Sequence, residues 1–203
     1  MMGTKHDGGE CTLELPSSEG ASAGEWPDSV LVHRCRVGDV VAWRQLHRRY
    51  YPVAKSFLRR MGTHPEELED ACQDVFLEVF RSLPTFRGEA SLKTWLYRLC
   101  VTQAGRRRRR SGTIQVLRGL LSRQAPCEPA APAEISEQSL QYRLQQALAR
   151  LNEGERAVFI LYEFEAASGK QIAGVLRCPE ATVWRRLHDA RRKLRAIVAG
   201  DAA

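Results

Sequence analysis

Five consecutive arginines, Arg106–Arg110, follow a segment in which Leu92, Trp95, Leu96 and Leu99 fall at i, i+3, i+4 and i+7. That spacing draws a single apolar stripe along an α-helix, so the stripe must find a core while Lys93 and Arg98 stay on the outer face. Between Lys93 and Arg110 seven cations stand with no carboxylate among them. Such a density repels itself unless something anionic lies alongside. The stretch therefore reads as a grip on nucleic acid, and a solvated basic tail on a structural helix is the alternative.

Helical periodicity recurs along most of the chain, and no Asn-Gly or Asp-Gly hairpin joins two alternating runs. The expected fold class is all-α. With 203 residues and 43% apolar composition, two small helical domains on a flexible linker fit better than one large core. Thirty-one Lys and Arg against 24 Asp and Glu leave a net charge of +7, which favours a polyanionic partner. The cations gather at 93–110 and 185–195 and the carboxylates at 66–78, giving separate basic and acidic faces.

Other classes find little support. The six cysteines, Cys11, Cys35, Cys72, Cys100, Cys127 and Cys178, include no CxxC pair and no zinc-finger spacing. Cys72 and Cys100 lie on or beside apolar stripes and read as buried free thiols. His6, His33, His47, His64 and His188 have no ligand spacing to one another, so neither an enzyme site nor a metal or other cofactor is expected. No signal peptide and no membrane-length apolar run is apparent, and a cytoplasmic, reduced protein with no membrane insertion is expected.

Taken in order, residues 1–27 are rich in Gly, Ser and Glu and read as a disordered tail. A first domain is expected over 28–110. It opens with a short helix that stops near Gly38, and a longer one follows from Asp39 as N-cap, with Pro52 as a possible kink and Gly62 as its end. The next helix is expected from Pro65 to Leu83, its core stripe being Cys72, Val75, Phe76, Val79, Phe80 and Leu83. On the opposite side, at 100° per residue, fall Asp70, Gln73, Asp74, Leu77 and Arg81. One Leu among carboxylates and an amide points to a partner surface, with an ordinary polar face as the alternative. Residues 111–136 read as linker, in which Gly112 and Gly119 argue against a stable helix.

The second domain is expected over 137–199. Asn152 with Glu155, and Ser168 with Gln171, are capping-box pairs that start two helices. A tight turn at Arg177-Cys178-Pro179 leads into a long basic helix with Val183, Leu187, Ala190, Leu194 and Ile197 as core stripe. Helix, short turn and basic helix make a helix-turn-helix, whose second helix enters the major groove. Off the stripe near its start lie Thr182, Trp184, Arg185, Arg186, His188 and Asp189, placed for base edges. Arg191, Arg192, Lys193 and Arg195 are placed for phosphates.

Two stretches carry a resemblance. LARLNEGERAVFILYEFEAASGKQIAGVLRCPEATVWRRLHDARRKLR resembles region 4, and DACQDVFLEVFRSLPTFRGEASLKTWLYRL resembles region 2, of the extracytoplasmic-function (group IV) sigma factors of bacterial RNA polymerase. The resemblance implies an alternative sigma factor, not an enzyme, that binds core RNA polymerase, reads the −35 and −10 elements of promoter DNA and opens the latter. It implies a core-polymerase surface at Asp70, Gln73, Asp74, Leu77, Glu78 and Arg81. For the −10 element it implies Phe86, Arg87, Glu89, Ser91, Trp95, Arg98, Thr102, Gln103, Arg106 and Arg107. For the −35 element it implies Thr182, Trp184, Arg185, Arg186, His188, Asp189 and Arg192, and it implies an anti-sigma factor as a further partner. The chain departs from the family where an Asn and a following Asp are usual and Thr102-Gln103-Ala104-Gly105-Arg106 stands, with Gly105 as a possible early helix end. It departs again at the turn, where Arg177 occupies a position that often holds Gly. The alternative function is an autonomous helix-turn-helix regulator that binds an operator without polymerase; it would need an apolar dimer seam, which the sequence lacks.

Overall fold

A computed structural model describes residues 25–121 and 137–200, with side chains placed over 25–109 and 143–197. Most of the expected tail and the Pro-rich part of the expected linker lie outside them. The described residues hold eight α-helices and no strand.

Helix α1 (Asp28–Arg36) turns through Gly38, at φ +84°, into α2 (Val40–Arg60). The Asp39 carboxylate caps α2 as expected, accepting from the amides of Val41 at 2.8 Å and Ala42 at 3.2 Å. Pro52 lies inside α2 without interrupting it. A 3₁₀ turn at Pro65–Glu67 leads into α3 (Leu68–Ser82), and a second at Leu83–Thr85 ends it. Cys72, Val75, Val79 and Leu83 are buried as their spacing requires, but Phe80 is 62% exposed. The stripe is therefore narrower than expected: Phe80 lies at the margin of the α2–α3 contact, one side of its ring against Trp43 of α2 with centroids 5.1 Å apart and the rest in solvent.

Helix α4 (Leu92–Leu121) corrects two expectations, since it passes through Gly105 and continues past Gly112 and Gly119. Gly105 is a contact glycine: a Cβ there would stand 2.4 Å from Glu153 Oε1. The absence of a side chain lets the second domain approach, and that offsets the low helix propensity.

The second domain comprises α5 (Glu137–Ala149), α6 (Glu153–Glu163), α7 (Gly169–Leu176) and α8 (Glu180–Gly200). Both capping boxes form, Asn152 with Glu155 and Ser168 with Gln171. Arg177 ends α7 in the left-handed region at φ 49°, ψ 50°, so it takes up the positive φ that a Gly would otherwise supply. The two domains share one apolar core, which runs from Leu31 and Phe57 through Tyr97 and Cys100 to Leu161, Val175 and Leu187.

Candidate nucleic-acid interface

The loop between α3 and α4 is held at both ends and free in the middle. Upstream, Arg36 of α1 donates hydrogen bonds to the Phe86 carbonyl and, at 3.5 Å, to that of Leu83. Downstream, the Ser91 hydroxyl receives the Thr94 amide at 3.1 Å and caps α4. The Phe86 ring tilts onto Trp95, centroids 5.1 Å apart, and both are half-buried. Arg87, Glu89 and Ser91 are exposed, and Gly88 takes φ +74° at the tip. Aromatic faces beside arginines at the mouth of a loop anchored at both ends can stack an unpaired base and hold its phosphate. The cleft there has a volume of about 860 Å³, and its second wall is Lys170, Gln171 and Arg177 of the other domain.

The arginine run divides. Arg106 is exposed, whereas Arg107 turns back to Asp74 at 2.5 Å and Arg108 donates to the Met61 carbonyl at 3.2 Å. At the position where the family usually has Asn, Thr102 donates to the Arg98 carbonyl of its own helix at 2.8 Å, and Gln103 is half-buried.

In the helix-turn-helix, Val183 and Leu187 are buried in the shared core and Ala190 in a smaller cluster with Leu148 and Leu151, which turns Arg185 and His188 outward. Thr182 is half-exposed at the helix start, its amide bonded to the Pro179 carbonyl at 2.9 Å. Trp184 is 44% exposed, its ring set edge-on to Tyr162 and directly over Gly169. Arg186 is half-buried beside Gly154 and Cys178, and Asp189 pairs with Arg192 at 3.2 Å. Two more of the four cations expected on phosphates are paired with carboxylates. Arg191 pairs with Glu163 at 2.6 Å and lies over Tyr162, and Lys193 pairs with the buried Glu155 at 2.8 Å. Burial works against the Glu155 carboxylate, but Lys193 and the Asn152 amide outweigh it and hold its pKa below the usual value.

A grooved loop with paired aromatics and a capped helix-turn-helix thus stand in the order in which two family models match. The model for sigma-70 region 2 matches residues 46–113, and that for sigma-70 region 4 matches 141–194. The chain belongs to the sigma-70 family. It is similar to the RNA polymerase sigma-H factor of Pseudomonas aeruginosa, 29% identical over 176 residues that cover 82% of this chain and 91% of the relative. The extracytoplasmic-function (ECF) RNA polymerase sigma-E factor of Escherichia coli K12 is likewise 29% identical, over 82% of this chain and 92% of the relative. In fold it is similar to CnrH, solved in complex with the cytosolic domain of CnrY, with a TM-score of 0.64 and 23% identity over 86% of this chain and 98% of that one. A second similar fold is the sigma factor RpoE of Bartonella quintana, solved with the anti-sigma factor NepR, at TM-score 0.62 and 21% identity over 79% of this chain and 98% of that one. The chain is an alternative sigma factor of the ECF type. It directs promoter-specific initiation with RNA polymerase and is not an enzyme.

Within this sigma factor, region 2 includes α3, whose outer face gathers Asp70, Gln73, Leu77 and Arg81 in solvent, with Asp74 and Glu78 half-exposed beside them. Leu77 is 52% exposed and Phe80 joins it. Val40 and Val41 of α2 are about as open, at 61% and 60%. The carboxylates of the face and the cations of α4 are not separate: Asp74 and Arg107 tie one to the other. No helix among the described residues is long and apolar enough to cross a membrane.

Three structurally engaged residues left no local signal in the sequence. Arg36 fixes the loop from 50 residues away. Arg156 is only 4% exposed, donates to the carbonyls of Met61 and Leu151, and has its pKa pushed down to about 10 by burial and by Arg108. Glu165 meets Tyr97 from 68 residues away. Only their charge in otherwise apolar or turn segments could have drawn notice.

Proposed function

We propose a division of labour for this sigma factor over a first domain at 28–110 and a second at 137–199. The outer face of α3, at Asp70, Gln73, Asp74, Leu77, Glu78 and Arg81, binds core RNA polymerase, with Phe80 as its apolar margin. The 86–91 loop with Trp95 and Arg98 takes an unpaired base of the −10 element, trading unstacking energy of a few kcal/mol against stacking and edge hydrogen bonds. Arg106 holds backbone phosphate next to it. Helix α8 reads the −35 element through Thr182, Arg185 and His188. Trp184 and Arg186 contribute at its margin, and Asp189 restrains Arg192 for a phosphate.

The observation that carries this reading is the half-buried Phe86–Trp95 pair at the mouth of a loop fixed at both ends. A stacking platform needs rigidity, because ordering a floppy loop would consume the binding energy. The protein is assigned to the cytoplasm with the transcription machinery. An anti-sigma factor is assigned as a partner, as the similar fold of RpoE was solved in complex with one.

Run-off transcription with purified core polymerase on a randomised promoter library tests the assignment. The expected result is enrichment of start sites preceded by two spaced elements. No enrichment over core alone overturns it, and tight operator binding without polymerase would favour the autonomous regulator.

A further inference from the structure

The cleft of about 860 Å³ between the 86–91 loop and α7 is unbalanced in charge. Arg87 and Arg98 stand on one wall and Lys170 and Arg177 on the other, against the single carboxylate of Glu89. Elsewhere Arg49, Arg60, Arg107 and Lys193 each find a carboxylate. Among the described residues no hydrogen bond or ion pair engages the side chains of the four cations in the cleft. Like charges gathered across a gap repel one another unless an anion lies between them.

Two residues of the second wall oppose what α7 and its turn favour by themselves. Gly174 sits inside α7, where glycine lowers helix propensity more than any residue but proline. No packing requires it: a Cβ built there meets nothing within 4 Å, whereas at Gly105 one would meet Glu153. Arg177 takes φ 49° at the end of the same helix, where glycine would carry no strain. The helix thus holds glycine where a side chain has room, and its turn holds arginine where glycine fits. Both positions line the cleft, and together they leave it space and supply it with a cation. A local cost with no gain inside the fold marks a functional surface.

Size and lining select the occupant. Pockets of roughly 300–1,000 Å³ take single small molecules, so the cleft suits a nucleotide and not a duplex. The half-buried rings of Phe86 and Trp95 offer a face to a flat base. Across the gap, Lys170 and Arg177 offer charge to a chain of phosphates. We propose that the cleft binds a free nucleoside triphosphate, its base stacked on the Phe86–Trp95 pair and its phosphates on Lys170 and Arg177. This goes beyond the promoter reading of the loop, although the occupant covers the same rings.

Isothermal titration calorimetry of the full chain without polymerase tests the site, with ATP, GTP and inorganic triphosphate as probes at low salt. Saturable one-to-one binding of both nucleotides is expected, about ten-fold tighter than that of inorganic triphosphate, which cannot stack. Gly174→Leu fills the cleft without removing a contact and should abolish binding. Arg177→Gly relieves the turn and should weaken binding about ten-fold. Arg44→Ala removes an exposed cation of α2 outside the cleft and should change nothing. No saturable binding, equal affinity for inorganic triphosphate, or nucleotide affinity that Gly174→Leu and Arg177→Gly leave unchanged overturns the site. Should Gly174→Leu lose helicity, Arg177→Gly and Lys170→Gln decide: weaker binding in both supports the site, and unchanged binding overturns it. A single-stranded trinucleotide without terminal phosphates that binds as tightly as ATP, with the same dependence on Arg177, gives the cleft to an opened strand and also overturns the proposal. Run-off transcription reports separately on the promoter reading. Specific run-off without nucleotide binding sinks the nucleotide site alone, and nucleotide binding without specific run-off sinks the promoter reading alone.

Discussion

The loop proposed for the −10 element and the helix proposed for the −35 element are both sets of aromatic and cationic side chains, yet they are held by opposite means. Helix α8 owes its presentation to neighbours in sequence: a capping box ahead of α7, Arg177 in the left-handed turn, and a buried stripe repeating every three or four residues. The loop owes its shape to partners far away, Arg36 of α1 at one end and, across the cleft, α7 of the other domain. A reader of intact duplex needs only a regular helix on a firm base, because the groove supplies the complementary shape. A pocket for a base taken out of the stack needs walls, and walls come from separate parts of the chain.

If that difference is real, the two sites should fail separately. The largest effect is expected for Trp95→Ala, which removes the platform under Phe86. Promoter opening, followed by permanganate reactivity of unpaired thymines, should fall about 10- to 100-fold, in keeping with about 1–3 kcal/mol per stacked base. Binding of the −35 duplex by the holoenzyme should stay within about two-fold, since Trp95 is not among the side chains proposed to read that element; an equal loss at both elements would break the contrast.

Arg185→Ala comes next. It should cost about 1–3 kcal/mol at the preferred −35 sequence and much less on other sequences. Uniform weakening would reassign Arg185 to a phosphate.

Smaller effects separate two adjacent arginines. Arg106→Ala should lower the slope of log affinity against log salt by about one, as expected for one lost phosphate contact. Arg107→Ala should leave the slope nearly unchanged, because its guanidinium is already paired with Asp74. The reverse pattern would mean that the pair opens on DNA.

The smallest effect is on stability. The pKa of Glu155 is lower in the folded chain than its ordinary value of 4.5, burial being outweighed by Lys193 and the Asn152 amide. Its contribution is therefore present above pH 4.5 and lost as the pH falls through the lower folded value. With Lys193 42% exposed, the loss should be about 1 kcal/mol in denaturant melts. Glu155→Gln should remove that acid-side slope, and a variant with the parent's slope would show that other carboxylates carry it.

Helix α4 shows how legibility ran out. Its stripe at Leu92 and Leu96 was plain in the sequence, as was the cationic run after it. Its passage through Gly105 was not, because the glycine answers to Glu153, which approaches from 48 positions further along the chain. In α3 the outward Leu77 was legible from the wheel, while Phe80 was assigned to the core because periodicity cannot say how wide a neighbouring helix is.

By itself the sequence determined the all-helical class, both capping boxes and the face that α8 turns outward. Each of these rests on residues within about four positions of one another, where backbone geometry alone decides which side chains meet. Tertiary structure decided which cations are drawn into ion pairs, what walls the cleft at the 86–91 loop, and that Glu165 of the second domain meets Arg60 and Lys93 of the first. Those outcomes depend on pairs 33, 50 and 105 residues apart, Asp74 with Arg107, Arg36 with Phe86 and Arg60 with Glu165. Charged side chains of one sign are interchangeable in a pattern, and only packing brings a particular one within reach of its partner.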